Sequence, residues 1–438
     1  MKVLMFGWEF PPHITGGLGT ACFGLTKGLA KHGVEALFVV PKAYGDESQE
    51  AVRLINASDV EMLTSEELHK EYWEQISFLE VGSNLVPYLT PEEFEKEVIE
   101  YHKSKKKKLK ETKKSAFGEK YQFSGKYGAN LMEEVTRYAI VASAIAEDNE
   151  FDVIHAHDWL TYPAGIAAKE ISGKPLVVHM HATEFDRSGE HVNQTVYDIE
   201  RKGMEAADMV ITVSDWTRAI VIEHYGISPD KVKTVHNAVE PIEKLDPANY
   251  KRHLDEKVVT FLGRITFQKG PEYFVEAAYK ILQRDPNVRF VMAGTGDLMN
   301  KMVRRVAQLG IGTKFHFTGF LKGEHVDHMF ALSDVYVMPS ISEPFGISPL
   351  EAMRTNVPVV ISKQSGVSEI LKYALKIDFW DIDAMADAIY GLLHYPALSN
   401  YLKEYGTEEV NALKWENAAL KVRAVYEEAL VLHETQNN

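Results

Sequence analysis

Short runs dense in Val, Ile, Leu and Phe recur along the chain, separated by amphipathic stretches of helical length. KVLMF, EALFVV, FDVIHA, PLVVHM and DMVITV mark the first half; KVVTFLG, NVRFVMAG, DVYVMP and VPVVIS mark the second. Strands that are apolar on both faces and alternate with helices predict parallel sheets covered on both sides, a doubly wound α/β chain. The pattern restarts near Lys257 after the polar, proline-containing segment HNAVEPIEKLDPANYKRHLDEK. Two Rossmann-like domains are therefore expected, over 1–238 and 239–414, followed by an amphipathic helix over 415–438. Residues 42–130 break the alternation and are expected to form an insertion in the first domain. Ligands of open parallel sheets bind beyond the carboxyl ends of the strands, so the chemistry is expected in a cleft between the two domains.

Composition narrows the partners. A formal net charge of -15 over 438 residues argues against nucleic acid, whose phosphates demand a basic face. An anionic small substrate would have to find local cations instead. The single Cys22 excludes an internal disulfide framework and points to the reducing cytoplasm. No apolar run approaches the roughly 20 residues that span a bilayer, and MKVLMFGW is too short for a secretory core. Eight lysines crowd into Lys103–Lys114. On an acidic chain they read as a solvated helix or loop, and stable membrane binding is not expected.

Several motifs fall at strand ends. After KVLMF, the stretch GWEFPPHITGGLG places Gly16 and Gly17 at the start of a helix that ends near Gly33, where free amides can meet an anion. FLGRITFQKG sets Arg264 and Lys269 just after a strand, where two cations can neutralise a diphosphate. In SEPFGISPLEAM, Ser348, Pro349 and Glu351 have the spacing of a capping box with Pro at the first helical position. Gly346, Ile347 and Ser348 lead into that helix, Glu351 can reach a ribose hydroxyl, and Glu343 in the preceding loop can grip a sugar. HAHDW offers His155 and His157 on one face of a strand, with no third and fourth zinc ligand evident, so sugar contacts by Asp158 and Trp159 are preferred. The DID of Asp381–Asp383 reads as a helix cap, and no metal is inferred.

In their order along the chain, HITGGLG, HAHDW, VSDWTR, HNAVE, GRITFQKG, AGTGD, FTGF and EPFGISPLEAM resemble the retaining glycosyltransferases of GT-B architecture, especially the family 4 and bacterial glycogen synthase-like members. The resemblance covers nearly the whole chain. It implies that Gly16 and Gly17 approach the donor phosphate and sugar, that Arg264 and Lys269 hold the diphosphate, and that Glu343 and Glu351 contact the sugar and the ribose. It also implies that His181 is the active-site histidine, with His179 as the nearby alternative, and that the last helix crosses back onto the first domain. The activity implied is transfer of glucose from ADP-glucose or UDP-glucose to the non-reducing end of an α-1,4-glucan, without a cofactor. Where glycogen and starch synthases using ADP-glucose commonly have Lys two places before the glycine pair, this chain has Ile14, which leaves the donor open. Other family 4 acceptors, lipid-linked ones included, and a sugar-nucleotide epimerase of the same architecture stand as alternatives. The oligomeric state is left open.

Overall fold

The computed structural model describes residues 1–13, 16–47, 51–60, 120–125, 128, 130–240 and 255–437. Its first sheet comprises β1 (Lys2–Phe6), β2 (Glu35–Val40), β3 (Arg53–Asn56), β4 (Val153–His157), β5 (Leu176–Met180), β6 (Met209–Thr212) and β7 (Val232–Thr234). All pair in parallel, in the order β3-β2-β1-β4-β5-β6-β7. The second sheet comprises β8 (Lys257–Leu262), β9 (Val288–Ala293), β10 (Phe315–Gly319), β11 (Val335–Met338), β12 (Val359–Ser362) and β13 (Leu375–Ile377). It is also parallel, ordered β10-β9-β8-β11-β12-β13. In each sheet the winding reverses beside the first strand, which opens a crevice at the carboxyl ends there.

The first sheet is accompanied by α1 (Gly17–Lys31), α2 (Leu131–Asp148), α3 (Tyr162–Ser172), α4 (Glu184–Ser188), α5 (Gln194–Ala206) and α6 (Asp215–Tyr225). With the second go α7 (Pro271–Leu282), α8 (Met299–Gln308), α9 (Glu324–Ala331), α10 (Ser348–Arg354), α11 (Val367–Ile370), α12 (Ile382–His394) and α13 (Pro396–Ala412), and α14 (Trp415–Asn437) closes the chain. Because strand side chains alternate, each face of the first sheet builds its own core. Leu4, Phe6, Ile154 and Val178 pack with Tyr138 of α2 and Tyr162 of α3. Val3, Met5, Val153 and Val177 pack with Leu25 and Leu29 of α1 and with Val422 and Tyr426 of α14.

Two glycines let α14 lie close on α1. A Cβ on Gly24 would fall 2.3 Å from the indole of Trp415, and one on Gly28 would fall 2.6 Å from the Trp415 carbonyl oxygen. Lys31 pairs with Glu416, and Arg423 Nη1 donates to the His32 carbonyl at 3.0 Å. The last helix, which follows the second domain in sequence, thus packs on the first.

Asp381 caps α12 by accepting from the Ala384 amide at 2.9 Å, as its sequence suggests. The capping box expected at Ser348 and Glu351 does not form. Gly346 turns the chain at φ 101° and Ile347 is already helical, so Ser348 is the first helical residue and caps nothing through its side chain. Ile14, the run Lys103–Lys114, most of the expected insertion and part of the interdomain segment lie outside the described residues.

Candidate active site

The motif residues gather at the carboxyl ends of both sheets. From the first domain, Gly16 is the extended residue that begins α1, and Gly17 is its exposed first helical residue. A Cβ on Gly17 would lie 4.0 Å from Cδ1 of Ile347, in the second domain. The glycine pair and the Gly346–Ile347–Ser348 turn therefore face each other across the cleft.

Beside that turn, Lys269 Nζ reaches Glu343 Oε2 at 2.5 Å, and the Ser340 hydroxyl donates to the same oxygen at 3.1 Å. Arg264 Nη2 donates to Gln268 Oε1 at 3.2 Å in the same loop after β8. The GTGD turn holds this loop in place: a Cβ on Gly294 would sit 1.8 Å from the Gly263 carbonyl oxygen, so only glycine lets the two strand ends touch. Glu351, in the first turn of α10, has its carboxyl pushed above the ordinary range by lost hydration, with Arg354 opposing and Asp327 adding to the shift.

On the first domain, HAH and HMH lie on adjacent strands, with His157 directly opposite His179 in the β4–β5 register. Side chains two apart share a strand face, so four imidazoles form one group that runs to the cleft. Their ring centroids are 4.1 Å apart for His155–His157, 5.4 Å for His157–His179 and 4.2 Å for His179–His181. Burial holds His155 down at about 3 and lowers His157, His179 and His181 as well, so the group is neutral at neutral pH. Sequence reasoning named His155 and His157 in one motif and His179 and His181 in another, but not that they form one group, because spacing along one strand cannot reveal its contacts with the next.

The acceptor-side expectations change. Asp158 adopts φ 63° and turns the chain inward, so Trp159 is 6 % exposed and packs in the core. Trp159 is thus corrected from a stacking surface for a sugar to a core residue. Asp158 Oδ1 accepts from the amides of His181 at 2.8 Å and of Ala182 at 3.3 Å, which places this carboxylate in support of the His181 loop.

One set of contacts was not foreseen. Glu369, ahead of β13, accepts from the Asp215 and Trp216 amides at the start of α6 at 2.9 and 2.6 Å, and pairs with His236 at 2.9 Å. Ser342 donates to Asp186 at 2.6 Å, and the Ser214 hydroxyl donates to the Pro344 carbonyl at 2.5 Å. VSDWTR therefore forms the first domain's side of an interdomain latch, with a carboxylate seated at a helix N-terminus.

Comparison with known proteins agrees with this geometry. Residues 2–232 match the family described as starch synthase catalytic domain, and residues 243–409 match glycosyl transferases group 1. The chain belongs to the first of these families and is a glycosyltransferase of GT-B fold. It is 29% identical to an uncharacterized glycosyltransferase of Methanocaldococcus jannaschii, over 98% of this chain and 99% of the relative. It is 30% identical to the alpha-maltose-1-phosphate synthase of Mycolicibacterium smegmatis, over 63% of this chain and 78% of that protein. Among solved structures, sucrose-phosphate synthase from Thermosynechococcus elongatus superposes with a TM-score of 0.72 at 18% identity, covering 98% of this chain and 99% of that one. Among the described residues, no helix is long and apolar enough to cross a membrane.

Proposed function

We propose that the protein transfers glucose from ADP-glucose or UDP-glucose to the non-reducing end of an α-1,4-glucan, with retention at the anomeric carbon. The observation that carries this reading is the cleft in which Gly17 faces Ile347 beside the Lys269–Glu343 pair. Lys269 and Arg264 stabilise the departing diphosphate, Glu343 holds the donor sugar, and Glu351 takes the ribose hydroxyls. The amides around Gly16 and Gly17, and those of the Gly346–Ser348 turn, border the donor phosphates. As the bond from the anomeric carbon to the diphosphate oxygen breaks, the acceptor oxygen bonds to that carbon from the same face, and the diphosphate oxygen takes the acceptor proton. His181 stays neutral, so it offers the sugar a hydrogen-bonding ring without setting a cation beside developing positive charge. Arg264 and Lys269 supply the charge that the leaving group needs, so the reaction is assigned no metal. The cytoplasm is its assigned compartment.

A second reading, with a phosphorylated sugar as acceptor, is favoured by the likeness to the alpha-maltose-1-phosphate synthase of Mycolicibacterium smegmatis. Purified protein given labelled ADP-glucose or UDP-glucose, with glycogen, glucose 1-phosphate or no acceptor, separates the readings. Label entering glycogen with matching release of nucleoside diphosphate supports the first. Label entering only a disaccharide phosphate moves the acceptor to the second, and no transfer with either donor sinks both.

A further inference from the structure

The group of histidines under α1 and α14 holds more polar capacity than the protein uses. His155 and His157 are fully buried and His179 is 2 % exposed. His155 Nε2, His157 Nε2 and both ring nitrogens of His179 have no hydrogen-bond partner. A buried polar atom left unpaired costs about 1–3 kcal/mol, so three such rings side by side are an expensive way to fill a core that Leu or Phe would fill better.

The other nitrogens of His155 and His157, by contrast, are engaged. His155 Nδ1 meets the Tyr426 hydroxyl of α14 at 2.6 Å, and His157 Nδ1 meets His181 Nε2 at 3.0 Å. Fixing one ring nitrogen by a hydrogen bond while the other points inward is the arrangement that orients metal-binding imidazoles. One ligand atom from each of His155, His157 and His179 lies within 4.8 Å of the others. Metal–nitrogen bonds of about 2.0–2.1 Å in a tetrahedral site place ligand nitrogens about 3.4 Å apart, a closure within reach of small ring rotations.

We infer that His155, His157 and His179 form a binding site for one divalent transition-metal ion, with zinc the best match, beneath the terminal helix. Three neutral imidazoles suit zinc, whereas magnesium and calcium select oxygen ligands. The ion sits on the core side of the row, apart from His181 at the cleft, and its role is to join β4 and β5 to α14 through Tyr426. A second trio, Cys22 with His157 and His181, overlaps this one and would draw the ion toward the cleft. It is set aside because the unpartnered nitrogens are concentrated on the other three rings. The inference does not depend on which sugar is transferred.

The full-length protein, stripped with a chelator and dialysed, is titrated with Co²⁺ and separately with Zn²⁺. Bound metal is then counted after gel filtration, and the Co²⁺ absorption spectrum is recorded. One retained equivalent, visible bands of tetrahedral Co²⁺ without a thiolate charge-transfer band, and a higher unfolding temperature with Zn²⁺ are expected. His179→Phe, which keeps the ring volume, should abolish retention while its circular dichroism stays that of the parent. Should that variant not fold, His155→Gln makes the same comparison. No retained metal in the parent overturns the inference. So does a thiolate band, which would shift the ligands to Cys22, or retention unchanged in a folded variant, which would assign the ion to the exposed clusters Asp215–His236–Glu369 or His13–Asp46–Glu47.

Discussion

Replacing Lys269 by Met probes the leaving-group assignment while keeping most of the side-chain stem. In the resting protein Lys269 Nζ sits 2.5 Å from Glu343 Oε2, with side chains 21% and 7% exposed. In the proposed reaction the ammonium is shared between that carboxylate and the phosphoryl oxygens of the donor. Losing a donor aimed at charge that develops in the transition state is worth about 2.7–4 kcal/mol, a fall of roughly 100- to 1,000-fold in single-turnover transfer. The variant also strands the Glu343 carboxylate. Breaking a fully buried pair costs about 3–5 kcal/mol, and the partial exposure of Lys269 together with the Ser340 hydroxyl bring this to roughly 1–3 kcal/mol. Lys269→Met should therefore lower both rate and stability. Adding Glu343→Gln removes the stranded charge, so the double variant should regain stability without regaining transfer. Rapid-quench transfer at saturating donor and chemical unfolding read the two quantities separately. Parental single-turnover transfer by Lys269→Met, or a rate that returns with stability in the double variant, would refute the reasoning.

Other predictions follow from the same geometry. Gly17→Leu should raise the donor KM by filling the gap to Ile347, while Gly17→Ala, whose Cβ would still be 4.0 Å from Ile347, should keep the parent's unfolding midpoint or exceed it, since Ala gains about 1 kcal/mol over Gly within a helix. Trp415→Ala should destabilise the first domain by about 3–5 kcal/mol in denaturant titrations. Gly24→Ala should do so by about 1–3 kcal/mol through overpacking, an effect that pairing it with Trp415→Leu should relieve. Glu369→Gln weakens the carboxylate's hold on the start of α6 by about 0.3–1 kcal/mol, so donor hydrolysis relative to transfer should rise about two- to five-fold when nucleoside diphosphate release is compared with label incorporation.

Every strand expected from its apolar run is present, and the four strands missed share a position. β3, β7, β10 and β13 are the outer strands of the two sheets. An outer strand pairs on one side only, so RLIN and VKT need not carry the continuous apolar run that announces a central strand such as EALFVV. Motif spacing along the sequence set Lys269 and Glu343 in separate loops of the second domain but could not show that they form an ion pair, because that contact spans two strand ends. Trp159 was misread for a local reason: the positive φ of Asp158 reverses the direction of the next side chain, and nothing in HAHDW reports a backbone angle on a non-glycine residue. That His179 joins His155 and His157 in one group was hidden, because this depends on the β4–β5 register, which only the folded sheet fixes.

The central claim, same-face glucosyl transfer in the cleft between the two sheets, is tested most directly by the product. Proton NMR of the reaction of the donor with a short maltooligosaccharide reads the anomeric configuration of the new bond while the nucleotide sugars are followed in the same tube. The account predicts a new α-1,4-linked residue, with one nucleoside diphosphate released for each bond formed. A β-linked product would contradict retention, and conversion of the donor into an epimeric nucleotide sugar without an acceptor would contradict transfer itself.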